Sequence, residues 1–324
     1  MVEEAVISIP TPERTERYRR AEQRLWERYG LEPSERFLEL DRPPIRLRVL
    51  QVGAGAPLVF APGSGGSGPM WAPLVQKLQG VRCLMLDPPN SGLSSRLGYA
   101  GRRYGDVIGE VLRGVADRLE LERIDVVGFS LGNVSALRLA EAEPERVGRV
   151  VLLGGGPLPD AYRVPGILRV IASPLGAVMV RLPPGRRSTR AFLRQLGHGR
   201  SLAAGRIPDE LLDWHIAFDR HTDTLRNERD MVRALTDWRR GSLRQGVSFT
   251  AAELRRIAQP TLLVYGSADP TGSLERLRPL VETLPRGELK VIDDAGHMLW
   301  LDEPASVAAA VAGFLTSTES EVTR

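Results

Sequence analysis

The chain has 324 residues, of which 42% are hydrophobic and 26% charged, a composition typical of a globular rather than a disordered protein. This length suits one large domain with an insertion, or two smaller domains. The net charge of +4 comes almost wholly from arginines interspersed with acidic residues, which argues against a basic surface and predicts no nucleic-acid partner.

The first half of the chain alternates strands with helices. Residues 1–35 are predicted to form an N-terminal helical extension, in which Leu25, Trp26 and Tyr29 share an apolar face. Strands are then predicted at Arg36–Leu40, Ile45–Val52, Leu58–Phe60, Val81–Leu86, Ile124–Val127 and Val150–Leu153. Helices are predicted at Met70–Leu78, Tyr104–Leu119 and Leu131–Glu141. Short apolar strands separated by helices indicate an α/β fold with a mostly parallel, doubly wound sheet.

The alternation of predicted strands and helices stops after residue 156 and resumes near residue 261. Residues 157–250 contain helix-like pieces and no convincing strand, whereas Thr261–Tyr265 and Leu289–Ile292 are strand-like again. A helix is predicted from Ala305 to Leu315. The sequence therefore predicts a core of residues 36–156 and 251–316, a helical insertion at 157–250 and a polar tail at 317–324.

The cysteine content and the lack of long apolar stretches bear on where in the cell the protein is expected. Cys83 is the only cysteine, so no internal disulfide is possible, and its apolar surroundings predict a buried thiol. No apolar stretch approaches the ~18 residues of a membrane span. The acidic start, Met1 to Glu4, does not resemble a signal peptide. We expect a cytoplasmic protein without a membrane span, and the sequence does not indicate an oligomeric state.

The motif Gly128-Phe129-Ser130-Leu131-Gly132 lies between a predicted strand and a predicted helix. A serine at the tip of such a turn is held in strained backbone geometry, with its Oγ above the sheet at a helix N-terminus. The alternative interpretation is a tight turn with an N-capping serine. The strand–turn–helix context favours Ser130 as a nucleophile.

A serine nucleophile needs a base, and the chain has four histidines. Only His297 lies outside the insertion, in a loop after the predicted strand Leu289–Ile292. Asp269 follows another strand end and is a candidate to orient the histidine, although an aspartate before Pro270 is also an ordinary turn residue. The chain order serine, aspartate, histidine is that of the α/β-hydrolases.

The glycine-rich loop at residues 62–68 follows the predicted strand Leu58–Phe60. It lacks the Gly-Lys-Ser/Thr ending of a phosphate-binding loop and the spacing of a dinucleotide site. The backbone N–H of Leu131 and that of Ser64 are the predicted oxyanion donors, with Gly65 as the alternative to Ser64.

These motifs resemble the α/β-hydrolase superfamily over residues 36–315, in particular its capped esterases, proline iminopeptidases, C–C hydrolases and cofactor-free haloperoxidases. Asp87 to Ser94 is similar to the family's loop after its fourth strand, and Trp71 stands where many members carry an aromatic residue. Pro62 replaces the usual loop histidine and Asn90 a usual glycine. By analogy, a serine rather than an aspartate nucleophile argues against the dehalogenase and epoxide-hydrolase branches.

The resemblance implies a serine hydrolase that cleaves a carboxylic ester of a small to medium apolar substrate. Thioester, lactone, amide or C–C bond cleavage and haloperoxidase activity remain alternatives on the same triad, and a non-catalytic ligand-binding module is an alternative of another class. We expect the insertion to cap the strand ends. The predicted substrate-binding residues are Trp71, Phe129, Trp214 and Phe218. The sequence implies neither a metal nor an organic cofactor.

Overall fold

A computed structural model describes residues 10–99, 102–156, 164, 166–182, 184–244 and 247–317. The strands in these ranges are β1 (Ser34–Asp41), β2 (Pro44–Val52), β3 (Ala56–Ala61), β4 (Val81–Leu86), β5 (Ile124–Phe129), β6 (Val147–Leu153), β7 (Thr236–Asp237), β8 (Ser242–Leu243), β9 (Thr261–Gly266) and β10 (Gly287–Ile292). Eight of them form one sheet in the order β1-β2-β4-β3-β5-β6-β9-β10. Only the β1–β2 and β2–β4 pairs are antiparallel, which confirms the predicted mostly parallel α/β sheet.

Helices cover the sheet and fill the insertion between β6 and β9. They are α1 (Pro12–Tyr29), α2 (Ala72–Val75), α3 (Tyr104–Arg118), α4 (Leu131–Ala142), α5 (Gly166–Ala172), α6 (Gly176–Met179), α7 (Arg186–Gln195), α8 (Gly199–Ala203), α9 (Asp209–His221), α10 (Thr224–Leu235), α11 (Ala251–Leu254), α12 (Leu274–Val281) and α13 (Pro304–Thr316). Two 3-10 turns, Gly68–Trp71 and Leu299–Leu301, precede α2 and α13.

The central strands are apolar on both sides because each side has its own hydrophobic core. Successive residues of a strand point to opposite faces. Val126 and Leu152 accordingly belong to the core on one face, whereas their neighbours Val127 and Leu153 belong to the core on the other. This arrangement explains why β5 and β6 are continuous apolar runs rather than alternating ones.

The insertion between β6 and β9 is helical from α5 to α10, but it also contains the two-residue strands β7 and β8, which form a separate antiparallel ribbon. The prediction of a strand-free insertion missed this ribbon because two residues carry no readable alternation. Residues 157–163 of the predicted insertion lie outside the described residues. Leu196 accepts a hydrogen bond from the N–H of His297 at 2.8 Å, so the insertion contacts the loop after β10. We refer to this insertion from here on as the cap.

The candidate site residues collect at one edge of the sheet. Ser130 directly follows β5, Asp269 follows β9, His297 follows β10, and the glycine-rich loop at residues 62–68 follows β3. The carboxyl ends of parallel strands meet at the same edge of a sheet, and open α/β sheets bind their ligands there. The fold therefore brings together loops that are far apart in sequence.

The N-terminal helix α1 is part of the folded body. It starts after the N-cap Thr11, with Pro12 in its first turn, and ends at Gly30 in the left-handed conformation. Tyr18 and Leu25 are fully buried, and α1 packs on α9 of the insertion. The strand β1 begins at Ser34, two residues before the predicted strand start.

A buried arginine joins α1 to the sheet. Arg48 of β2 is 1% exposed and donates to Glu22 of α1 at 2.7 Å and to Asp87, after β4, at 3.4 Å. It also donates to Glu35 of β1. Two of these carboxylates are almost fully buried, so the arginine supplies the charge that compensates them.

We expect Arg48→Met to lower the free energy of unfolding by ~3–5 kcal/mol, because it leaves Glu22 and Asp87 buried without a cation. Denaturant unfolding monitored by circular dichroism measures this loss. Arg17→Met is the matched control: its ion pair with Glu13 is solvent-exposed and should be worth ~0–1 kcal/mol. Equal losses in the two variants would contradict a structural role for the Arg48 network.

Candidate active site

Ser130 occupies a strained turn between β5 and α4. Its φ is 51° and its ψ is −117°, a combination that residues with side chains rarely adopt. A Cβ atom at Gly132 would approach the Ala61 carbonyl oxygen to 2.0 Å, so only glycine fits where α4 meets the end of β3. The glycine spacing around Ser130 thus reflects close backbone packing, and the side chain lines a cavity above the sheet.

His297 and Asp269 meet across two loops. The Nδ1 of His297 lies 2.8 Å from Asp269 Oδ2 and 3.2 Å from Thr271 Oγ1. Asp269 Oδ2 also accepts the N–H of Gly155 at 2.7 Å. Its other oxygen, Oδ1, accepts the N–H of Thr271 at 2.8 Å and the hydroxyl of Thr271 at 2.7 Å.

These contacts fix the charge state of Asp269. Burial opposes ionisation of the carboxyl, but the attraction of His297 and the N–H donors of Gly155 and Thr271 outweigh it and lower the pKa of Asp269 to about 2. Asp269 is therefore a carboxylate at neutral pH. In that state it accepts the Nδ1 proton of His297, which leaves Nε2 as an acceptor for a serine hydroxyl.

Three consecutive backbone N–H groups around His297 are all held by protein acceptors. Gly296 donates to Asp302 Oδ2 at 2.8 Å and Met298 donates to His198 Nε2 at 3.2 Å, while His297 itself donates to Leu196 O. His198 Nδ1 lies 2.7 Å from Asp302 Oδ2. The cap residue His198 therefore acts with Asp302 to position the loop that carries His297.

The predicted oxyanion donors differ in availability. The Gly65 N–H donates to Glu228 Oε2 at 2.9 Å, so it is already engaged. Within the described residues, the N–H groups of Ser64 and Leu131 donate to no protein acceptor. The geometry therefore favours Ser64 over Gly65 as the partner of Leu131 in an oxyanion hole.

Ser130 and His297 line one predominantly apolar cavity between the sheet edge and the cap. The other described residues that line it are Ser64, Gly65, Gly66, Met70, Phe129, Leu168, Phe192, Leu193, Leu196, Leu211, Trp214, His215, Met298 and Leu301. No arginine or lysine occurs among these lining residues. The cavity suits an uncharged, largely apolar substrate.

The four predicted substrate-binding residues divide into two pairs. Phe129 and Trp214 line the cavity, and the Phe129 ring lies 4.7 Å from that of His297. Trp71 is instead buried against Trp300, at 4.5 Å between ring centroids. Phe218 is buried between Trp214 and Tyr18 of α1. Trp71 and Phe218 thus support the site from behind rather than forming its wall.

His215 is a polar wall residue that the sequence did not single out. It lines the cavity and stacks on Phe192 at 6.0 Å, and its Nε2 lies 3.7 Å from Asp219 one helical turn later. Burial raises the pKa of the Asp219 carboxyl, and His215 partly offsets this effect. The four-residue spacing of His215 and Asp219 on a predicted helix was the available sequence signal.

The described residues contain neither a cluster of metal-ligating side chains nor a membrane-spanning helix. No group of three or more histidine, cysteine or acidic side chains in these ranges is arranged to hold a metal ion. In the same ranges no helix is both long and apolar enough to cross a membrane.

The alpha/beta hydrolase fold family matches residues 56–304, and the chain belongs to this family. A curated relative from Cupriavidus pinatubonensis, 2-hydroxy-6-oxononadienedioate/2-hydroxy-6-oxononatrienedioate hydrolase, is 26% identical and is aligned over 83% of this chain and 90% of its own. The 2-hydroxymuconate semialdehyde hydrolase of a Pseudomonas species is 28% identical over 85% and 92%. The structure also resembles carboxylesterase CesB of Bacillus subtilis, with a TM-score of 0.67, 18% identity and coverage of 94% and 99%. The protein is thus an enzyme of the α/β-hydrolase family.

We expect Asp269→Asn to lower kcat by ~10⁴, as in a serine protease, because an amide favours the wrong histidine tautomer. Its NH2 group would also face an N–H donor, either that of Gly155 or that of Thr271. Asp294→Asn is the control, since Asp294 is solvent-exposed and paired with Arg200. Ester turnover of both variants at the same pH measures the difference. A collapse in Asp294→Asn with a near-normal rate in Asp269→Asn would reverse the assignment.

Proposed function

We propose that the protein is a serine hydrolase that cleaves a carboxylic ester of a small to medium apolar substrate through an acyl-enzyme on Ser130. The observation that carries this proposal is that His297, which is hydrogen-bonded to Asp269, lines the same apolar cavity as a strained serine at a strand-to-helix turn. These are the parts that acyl transfer requires.

In the first half-reaction, Ser130 Oγ attacks the acyl carbon while His297 Nε2 takes the hydroxyl proton. The developing oxyanion accepts hydrogen bonds from the N–H groups of Leu131 and Ser64, which have no other acceptor among the described residues. Collapse of the intermediate breaks the ester C–O bond, and His297 returns the proton to the leaving alcohol. The carboxylate of Asp269 stabilises the transient imidazolium.

In the second half-reaction, water attacks the acyl-enzyme. His297 takes a proton from the water and then gives it to Ser130 Oγ as the acyl C–O bond breaks. The products are a carboxylic acid and the regenerated serine. The same groups serve both halves, so the reaction needs no further catalyst.

The lining of the cavity supports an ester over a dicarboxylate. The relative from Cupriavidus pinatubonensis is named for a dioate, whose two carboxylates need cationic or strongly donating partners. The described lining residues include no arginine or lysine, and the histidine in the cap wall, His215, is already beside Asp219. An apolar acyl group needs no cationic or strongly donating partner.

The second candidate is hydrolysis of a C–C bond, which the two curated relatives favour. The deciding experiment compares p-nitrophenyl esters of increasing chain length with 2-hydroxymuconate semialdehyde as substrates. Turnover of the esters alone supports the proposal. A kcat/KM clearly higher for the semialdehyde than for every ester would replace ester hydrolysis by C–C cleavage.

Ser130→Ala should abolish both ester turnover and labelling by a fluorophosphonate probe. Loss of the nucleophile costs ~10⁶ in kcat in a well-studied serine protease. Ser188→Ala, at an exposed serine of α7, should be labelled like the wild type. Full turnover in a folded Ser130→Ala protein would assign the nucleophile to another residue.

Two leucine substitutions distinguish a residue of the cavity wall from one that packs behind it. Trp214→Leu enlarges the cavity and should shift the preference, measured as relative kcat/KM, towards longer acyl chains. Phe218→Leu changes a ring that is 0% exposed and not in the wall, so it should lower the melting temperature with an unchanged preference. Identical preference profiles in both variants would remove Trp214 from the acyl site.

A further inference from the structure

A buried acid of the cap binds the oxyanion loop. Glu228 of α10 is 6% exposed, and its two oxygens contact adjacent residues of the loop after β3. Oε2 accepts the N–H of Gly65 at 2.9 Å, and Oε1 is hydrogen-bonded to the hydroxyl of Ser64. Ser64 also lines the cavity that contains Ser130. One cap side chain therefore reaches the loop that supplies a candidate oxyanion donor.

Glu228 has no compensating cation among the described residues. Within the described part of the chain no basic side chain forms an ion pair with it, whereas Asp219 of α9 lies close enough to oppose its ionisation. Tyr99 and Tyr104 also face it, and Asp87 lines the same small cavity behind the loop. Burial is the main cause that raises the pKa of Glu228 to about 8, with Asp219 adding to it and the Gly65 N–H opposing it.

The charge state of Glu228 decides what the Ser64 hydroxyl can do. A carboxylate only accepts hydrogen bonds. An ionised Glu228 therefore accepts the one hydrogen bond that the Ser64 hydroxyl can donate. A protonated Glu228 can instead donate its own proton to Ser64 Oγ while its carbonyl oxygen keeps the Gly65 N–H. The Ser64 O–H is then available to another acceptor, and Ser64 borders the cavity where a substrate oxygen would lie.

We propose that the Ser64 hydroxyl donates a hydrogen bond to the substrate oxygen and that Glu228 controls this donor by its protonation. The inference depends on the proposed acyl-transfer function of the same site. Glu228 acts as a positioning residue: it holds the loop in both states, but only its neutral form frees the hydroxyl. Its ionisation would also place a negative charge beside the developing oxyanion and weaken catalysis further.

The test is the pH dependence of two reactions of Ser130, turnover of a p-nitrophenyl ester and the rate of labelling by a fluorophosphonate. A group that must be protonated and has a pKa of about 8 gives a roughly tenfold fall in rate between pH 7 and pH 9. Glu228→Gln should remove this fall, because its NH2 donates to Ser64 Oγ and its oxygen accepts from Gly65 at every pH. Glu275→Gln, at an exposed acid of α12, should keep the wild-type profile.

Two further variants guard against a purely structural effect. Ser64→Ala retains the backbone N–H but removes the hydroxyl, so it should lower kcat at pH 7 by roughly tenfold with little change in KM. Glu228→Leu removes both loop contacts and should lower kcat at pH 7, which Glu228→Gln should largely restore. Circular dichroism identifies any variant that fails to fold.

Each result either supports or contradicts the inference. A wild-type alkaline decline that persists in Glu228→Gln, or a Ser64→Ala protein with undiminished kcat and labelling rate, would overturn it. Labelling without ester turnover would contradict only the proposed ester substrate, since the labelling profiles still test Ser64 and Glu228. A wild-type protein that the fluorophosphonate does not label would contradict both the proposed serine hydrolase function and this inference.

Discussion

The passage of the chain from β5 to α4 through one strained residue is the constraint on which the site depends. Ser130 has a positive φ, and Gly132 lies so close to the end of β3 that any side chain would collide with the Ala61 carbonyl. This contact sets the start of α4 against the loop after β3. The N–H groups of Leu131 and Ser64 therefore lie just beyond the ends of β5 and β3, two strands that are paired side by side in the sheet. Leu131 and Ser64, the proposed oxyanion donors, are thereby arranged before a substrate binds, as electrostatic stabilisation of an oxyanion requires.

The cap completes the site from the opposite side. Leu196 and His198 accept the N–H groups of His297 and Met298, and Glu228 binds the loop after β3. Ser130, the proposed nucleophile, is thus positioned by the turn between β5 and α4, whereas His297, the proposed base, and the loop after β3 also contact the cap. Because α1 packs on α9 and is tied to β2 by Arg48, the N-terminal helix also stabilises the cap on the core.

The sequence predicts those parts of the site that local pattern encodes. The glycine spacing around Ser130 and the positions of Asp269 and His297 after apolar strands are readable because parallel strands align their carboxyl ends. The positions of Phe218 and Trp71 behind the cavity wall cannot be predicted from the sequence. An aromatic residue in the wall and one packed behind it follow the same kind of local sequence pattern. Glu228 did leave a signal: it precedes Met231, Val232 and Leu235 at helical spacing, so an acid stands on the apolar face of α10. What it contacts depends on a loop more than 160 residues earlier, which periodicity cannot reveal.

The two buried cap groups that touch the site share one physical property. His198 donates from Nδ1 to Asp302 and accepts at Nε2 from Met298, and a ring that both donates and accepts is neutral. The raised pKa of Glu228 favours its neutral form as well. A cap that buries neutral rather than charged polar groups avoids a large desolvation cost where it meets the core. Beside these groups, Asp269 is kept ionised by its own donors and by His297, to which it is hydrogen-bonded.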